Sequence, residues 1–207
     1  MKNEAEVVRL SDLPDPLLEQ FRMRRLSVLN WGTFSGLHRM PIAHDGMLLL
    51  GPSGAGKSTL LDAISALIVP PRAVRFNAAA DESSRKDHDR NLMSYIRGAW
   101  ADKAQEDSPR SIAKQYLRPG GTWSALALEY ANAVGRVITL VRVLWVRGSS
   151  TSGSVESHFM VVEGAFDLTE IPDFEGERRN IKKKLKRGEV HHHEQSFPSY
   201  AEHWCRV

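Results

Sequence analysis

Residues 47–60, Met47-Leu-Leu-Leu-Gly51-Pro-Ser-Gly-Ala-Gly56-Lys57-Ser58-Thr59-Leu60, decide the fold. From Gly51 to Ser58 they satisfy the Walker A pattern G-x-x-x-x-G-K-[ST] without a mismatch. Gly51, Gly54 and Gly56 let the backbone curl until successive N–H groups point into one concavity, which holds phosphate oxygens that a Cβ would push away. Pro52, Ser53 and Ala55 complete the loop. A helix opening at the loop adds the positive end of its dipole and its unpaired N–H groups. Lys57 supplies a point charge for the β- and γ-phosphates, and the Ser58 hydroxyl is a ligand for the Mg2+ that bridges them. Thr59 reaches the α-phosphate if the loop has its usual shape. The stretch Gly51 to Thr59 is therefore expected to bind a nucleoside triphosphate with Mg2+, ATP first.

Both flanks fit that reading. Met47 to Leu50 is wholly apolar, and such a short run suits a strand buried on both faces of a parallel sheet. Leu60, Leu61, Ile64, Leu67 and Ile68 recur at helical spacing until Pro70 and Pro71 end the pattern. Upstream, Leu26 and Val28 alternate with polar neighbours, and Gly32 to Gly36 reads as a hairpin-like turn after a strand. Before that, the prolines and acidic residues of 11–16 argue for a turn-rich extension with one short helix at Leu17 to Phe21. Residues 77–90, and the stretch from Ser108-Pro109 to Pro119-Gly120-Gly121, are weakly periodic and predict exposed loops with short helices. Ser124 to Tyr130, Arg136 to Arg147 and His158 to Glu163 then read as strands of an antiparallel meander. From Glu177 onward the pattern predicts a basic helix around Ile181 and Leu185, a loop through Phe197-Pro198 and the start of another helix. The fold class that results is an α/β P-loop fold carrying an antiparallel β lobe.

Composition sets weaker bounds. A chain of 207 residues, 42% hydrophobic, can bury a core as one domain, since domains commonly run about 100–200 residues. The formal charge of +3 and pI near 9.1 permit contact with nucleic acid without implying it. The single cysteine, Cys205, forms no internal disulfide and has no activating neighbour in sequence, which points to a reducing compartment and no catalytic thiol. No apolar run approaches the roughly 20 residues that span a bilayer, so a cytoplasmic, non-membrane protein is expected.

Several short motifs, taken in order, resemble the N-terminal head of SMC-type ATPases. Leu26-Ser-Val-Leu-Asn30-Trp31-Gly32-Thr33-Phe34 is similar to the strand and turn that open such heads. Together with Gly54 to Leu60, Leu67-Ile-Val-Pro-Pro71, Phe76-Asn-Ala-Ala79 and Ser94-Tyr95, it resembles the JetC branch, the MukB-like subunits of Wadjet plasmid-defence systems. Ala125 to Tyr130, Ile138 to Arg147 and Phe159 to Ile171 are similar to the antiparallel lobe of these heads. The resemblance covers about residues 22 to 207 and divides the chain into an N-terminal extension (1–21), the N-terminal half of an ATPase head lobe (22–175), and a basic helical segment (176–207) leading toward a coiled coil. It implies an ATP-sandwich machine in which two heads of a homodimer enclose two ATPs while a kleisin, accessory subunits and coiled coils hold double-stranded DNA. It further implies DNA-loop extrusion, a partner nuclease related to topoisomerases, and a nucleoid-associated place in the cytoplasm.

The family also needs an Asp-Glu pair after an apolar strand and a Ser-Gly-Gly signature, both of which lie in the C-terminal half of the head. Phe159-Met-Val-Val-Glu163 lacks the aspartate, and Ser152-Gly153-Ser154 reads as a flexible loop. The chain thus resembles half of a head whose ATPase activity depends on the other half. No glutamine follows the first helix to sense the γ-phosphate; Arg72 or Arg75 stands in that stretch. On the basic helix, Arg178, Arg179, Lys182, Lys183 and Lys186 are candidates for DNA phosphate contact, against the commoner reading of a solvated face. His191, His192 and His193 are read as no metal site, because consecutive side chains diverge and no cysteine or carboxylate set stands at ligand spacing. Trp123, Trp145 and Trp204 read as core or interface anchors. Two other readings stay open: a transporter-type ATPase subunit, and a short non-catalytic module that binds nucleotide or a partner head.

Overall fold

The computed structural model describes residues 20–71, 73–74, 76, 92–105, 108–149, 154–185 and 190–205. Strand β1 (Arg22–Trp31) turns tightly into β2 (Phe34–Pro41), and helix α1 (Lys57–Ile68) follows the glycine loop. A short helix α2 (Leu92–Arg97) leads into a two-stranded ribbon, β3 (Ala99–Gln105) with β4 (Ser108–Tyr116). The meander β5 (Thr122–Ala131), β6 (Val137–Val146) and β7 (Glu156–Glu163) comes next, then a single 3-10 turn at Leu168–Glu170, helix α3 (Arg178–Lys184), strand β8 (Val190–Glu194) and helix α4 (Phe197–Trp204). Six strands form one sheet in the order β2-β1-β5-β6-β7-β8, and every neighbouring pair is antiparallel.

The apolar composition of β6 follows from its place near the middle of that sheet, where both faces are covered. Leu140 and Leu144 face the helices. Val141, Val143 and Trp145 point the other way, against Phe166, Leu168, Phe174 and Ile181. On the helix side Leu26, Val28, Leu126 and Leu128 meet Leu60, Ala63, Ala66 and Leu67 of α1 and Ile96 of α2, while Phe197 and Tyr200 of α4 pack on Phe159 and Val161. The period-two alternation of strand side chains assigns each residue to its layer. Trp31 and Trp145 are both fully buried, and truncating such a side chain to alanine costs about 3–5 kcal/mol.

Three expectations are corrected. Met47 to Leu50 is not a strand, and no parallel pairing occurs among the described residues; Leu49 packs on the core, whereas Leu48 and Leu50 are 79% and 81% exposed. The run was apolar enough for a strand buried on two faces, but only one face has a neighbour here. The stretch around Ser108-Pro109 forms the β3–β4 ribbon and not loops with short helices. Finally, the segment 176–207 contains strand β8, which pairs with β7 and ties it into the main sheet. Polar histidines at an edge strand carry no apolar alternation, so periodicity missed it. Residues 77–90, Ser152 and Gly153 of the stretch expected to form a loop, and most of the N-terminal extension lie outside the described residues.

A candidate nucleotide site at the start of helix α1

Helix α1 begins at Lys57, and Gly56 is its N-cap with φ +88°. No side chain caps this end and its first turn carries no acidic residue, so the helix presents its N–H groups and positive dipole end to an anion. Glycine is required at position 56 on two counts. The left-handed backbone disfavours any Cβ, and a Cβ built there would stand 2.8 Å from Phe34 Cζ. Gly51 to Ala55 is exposed, while Gly56, Lys57, Ser58 and Thr59 are half-buried. The Lys57 ammonium donates to the Gly51 carbonyl at 2.7 Å and to the Pro52 carbonyl at 2.9 Å. These bonds hold its charge over the loop, and an ammonium has a third N–H for a phosphate oxygen. The loop turn itself is closed by Ala55 N–H donating to Pro52 O at 3.2 Å.

The turn from Asn30 to Phe34 holds this loop from beneath. Asn30 adopts a left-handed φ of 51°, which asparagine tolerates better than most residues, and its Oδ1 accepts the Gly36 N–H at 2.9 Å. Trp31 Nε1 donates to the Thr59 carbonyl at 2.9 Å, and its ring stacks on Tyr95 with centroids 4.5 Å apart. Tyr95 hydroxyl donates in turn to the buried Asp62 carboxylate on α1. Gly32 lies so close to α1 that a Cβ would sit 2.7 Å from Thr59 Cγ2. Trp31, Gly32 and Phe34 of the β1–β2 hairpin therefore each touch the first turn of the loop helix.

Three arginines complete the frame. Arg118 donates through Nη2 to the Gly32 carbonyl at 2.7 Å and through Nε to the Ile96 carbonyl at 2.8 Å; burial lowers its pKa below the usual guanidinium range. Arg97, fully buried, reaches the carbonyls of Pro119, Gly120 and Gly148. Arg142 reaches across from β6 to the other end of α1, donating to the Ala66 carbonyl at 2.7 Å. That carbonyl lies in the last turn, where a cation also meets the negative end of the helix dipole. Burial pushes the Arg142 pKa down to about 10, so it stays charged at neutral pH. Sequence reasoning missed all three arginines. Only Arg142 carried a signal, as the single charge inside the apolar run Val137 to Val146.

The other candidate residues are scattered. On α3, Arg179 and Lys183 are exposed and share one face, whereas Arg178 turns inward, donating to Ser157 O at 2.7 Å and lying over the Trp145 ring at 5.7 Å. Lys182 is half-buried on the inner side with Arg178. Lys186, Arg72 and Arg75 lie outside the described residues. Strand alternation splits the histidines: His193 faces His158, with Nδ1 3.0 Å from His158 Nε2, while His192 stacks on His203 of α4. Trp145 is a core residue as expected, and Cys205 is exposed and in no disulfide.

A family model described as the P-loop containing region of AAA domain matches residues 23–83. That span begins in β1 and runs through the hairpin, the glycine loop and α1. It indicates a P-loop nucleotide-binding region. No curated protein matches the chain. Among the described residues no helix is long and apolar enough to cross a membrane.

Proposed function

We propose that this chain is the ATP- and Mg2+-binding N-terminal part of an SMC-like head, and that hydrolysis is completed by residues beyond 1–207. The observation that carries the reading is the exposure of Leu48 and Leu50 immediately before the phosphate loop. Leu61 on α1 is a further exposed apolar side chain, at 55%. Large apolar side chains gain roughly 1.5–3 kcal/mol each on full burial, so a strand laid beside Met47 to Leu50 would cover a surface of considerable value. A strand bearing an Asp-Glu pair at its end would bring a metal ligand and a water-orienting carboxylate to the γ-phosphate side of the loop.

In this proposal Gly51 to Lys57 cradle the phosphates, Ser58 holds Mg2+, Thr59 reaches the α-phosphate, and the second head of a homodimer closes over the nucleotide. The resemblance extends it to ATP-driven extrusion of double-stranded DNA loops with a kleisin, accessory subunits and a topoisomerase-related nuclease, in plasmid defence. Arg179 and Lys183 are the candidates for phosphate contact on α3, since both face solvent there.

An antibody against residues 1–207, used on the source cell, tests the proposal. A native species several times larger than 23.2 kDa that hydrolyses ATP, and loses that activity in the Leu48→Asp/Leu50→Asp variant, is expected. A species at 23.2 kDa whose ATP binding is unaffected by that double change would contradict it and favour a small regulatory module.

A further inference from the structure

We infer that His192, Glu194 and His203 form a binding site for a zinc-class divalent metal ion, separate from the Mg2+ expected at Ser58. One ligand atom from each of the three lies within 4.8 Å of the others. His192 and Glu194 stand two residues apart on β8 and so share a face of the sheet. His203 comes from α4, placing its Nε2 3.1 Å from Glu194 Oε1 and its ring parallel to that of His192 at 3.6 Å. All three are half-buried: close enough to the surface for an ion to enter, and shielded enough to hold it.

The convergence is built by the fold. Ser196, two residues after Glu194, caps α4 by accepting the Ser199 N–H, with a proline in the first turn, so the helix starts at Phe197. Phe197 and Tyr200 are buried against Phe159 of β7, which seats α4 on the sheet and fixes His203 above β8. Donors around a tetrahedral Zn2+ with bonds of about 2.0–2.1 Å stand roughly 3.3 Å apart. His203 and Glu194 already have that spacing, and the His192 ligand atom lies within 4.8 Å of theirs.

The donor set selects the ion. Two imidazoles and one carboxylate suit Zn2+, Co2+ or Ni2+, whereas Mg2+ and Ca2+ prefer oxygen ligands throughout. Binding requires each coordinating imidazole nitrogen to be unprotonated, so an ion would take the place of the His203–Glu194 hydrogen bond. β8 is the sheet edge opposite the β1–β2 hairpin that supports the phosphate loop. The ion therefore acts as a staple between β8 and α4 and not in phosphate chemistry.

The test is a Co2+ titration of the metal-stripped chain, without a purification tag, followed by visible absorbance, with Zn2+ as competitor and the melting temperature as a second readout. One Co2+ per chain, displaced by Zn2+, and a melting temperature raised by Zn2+ are expected. Glu194→Gln and His203→Ala should each weaken binding by at least about 10–100-fold, the loss that follows even from removing an outer-shell partner of a metal ligand. Glu194→Gln is isosteric, so it remains informative if His203→Ala fails to fold. His44→Ala, at an exposed histidine elsewhere, should change nothing. Binding that survives both ligand changes, or that is lost in His191→Ala alone, would overturn the site in favour of adventitious chelation by consecutive histidines.

Discussion

Replacing Gly56 with alanine tests the physical account of the phosphate loop through two separable terms. The first is backbone strain: at φ +88° a residue with a Cβ costs about 1–2 kcal/mol relative to glycine. The second is contact, since the new Cβ would stand 2.8 and 3.0 Å from Phe34 Cζ and Cε2; forcing an extra carbon into a packed site costs about 1–3 kcal/mol. Gly56→Ala should therefore destabilise the chain by about 2–5 kcal/mol in urea unfolding followed by far-UV circular dichroism. Phe34→Leu, at a partly buried ring, should cost about 1 kcal/mol alone. The double variant should be less destabilised than the sum by about 1–2 kcal/mol, because leucine removes the ring that the new Cβ meets but leaves the backbone strain. Additivity within about 0.5 kcal/mol would refute the claim that Phe34 and Gly56 are in contact.

Two further outcomes follow from the same geometry. Trp31→Phe keeps an aromatic ring on Tyr95 but loses the Nε1 bond to the Thr59 carbonyl. It should cost about 2–3 kcal/mol from one hydrogen bond and a partial cavity, while Trp123→Phe at a partly buried position should cost less than half of that; equal losses by circular dichroism melts would contradict the assigned role of Trp31. Burial, helped by His193, Lys182 and Arg178, pushes the His158 pKa down to about 3. The unfolded chain then binds more protons than the native one below the ordinary histidine pKa of about 6.5, so stability is fully present above that value and falls as pH drops toward the folded value. The contribution is on the order of 2 kcal/mol by pH 5, and His158→Gln should flatten the stability profile between those limits; an unchanged slope would show that His158 is not held neutral.

The periodic elements were legible. Alternation in Leu26 and Val28 and the apolar runs of β5, β6 and β7 placed four strands, and the spacing of Leu60, Ile64 and Leu67 placed α1. These signals are local, because each residue's partner layer is set by its own side-chain period. Met47 to Leu50 misled because hydrophobicity reports what a segment could bury, and not whether a neighbour is present to bury it. β8 was invisible for the opposite reason: its pairing with β7 rests on backbone hydrogen bonds, and its histidines follow no apolar pattern. The phosphate loop was read from its own residues, yet the supports beneath it were not. Trp31 meets Thr59 across 28 residues and Arg118 meets Gly32 across 86, and such contacts exist only once the chain has folded. The convergence of His192, Glu194 and His203 was missed in the same way, since the third ligand arrives on another element.

The most direct test of the nucleotide assignment is equilibrium binding of a fluorescent ATP analogue in the presence of Mg2+, compared between the native chain and Lys57→Ala. Among the described residues Lys57 bonds to the exposed Gly51 and Pro52 carbonyls of the loop, so its removal should leave the stability in urea within about 0.5 kcal/mol of the native value, as expected of a change outside the core. Loss of the ammonium that meets the β- and γ-phosphates should abolish Mg2+-dependent binding in that folded variant. Equal affinity of the two proteins for the analogue would contradict the central claim.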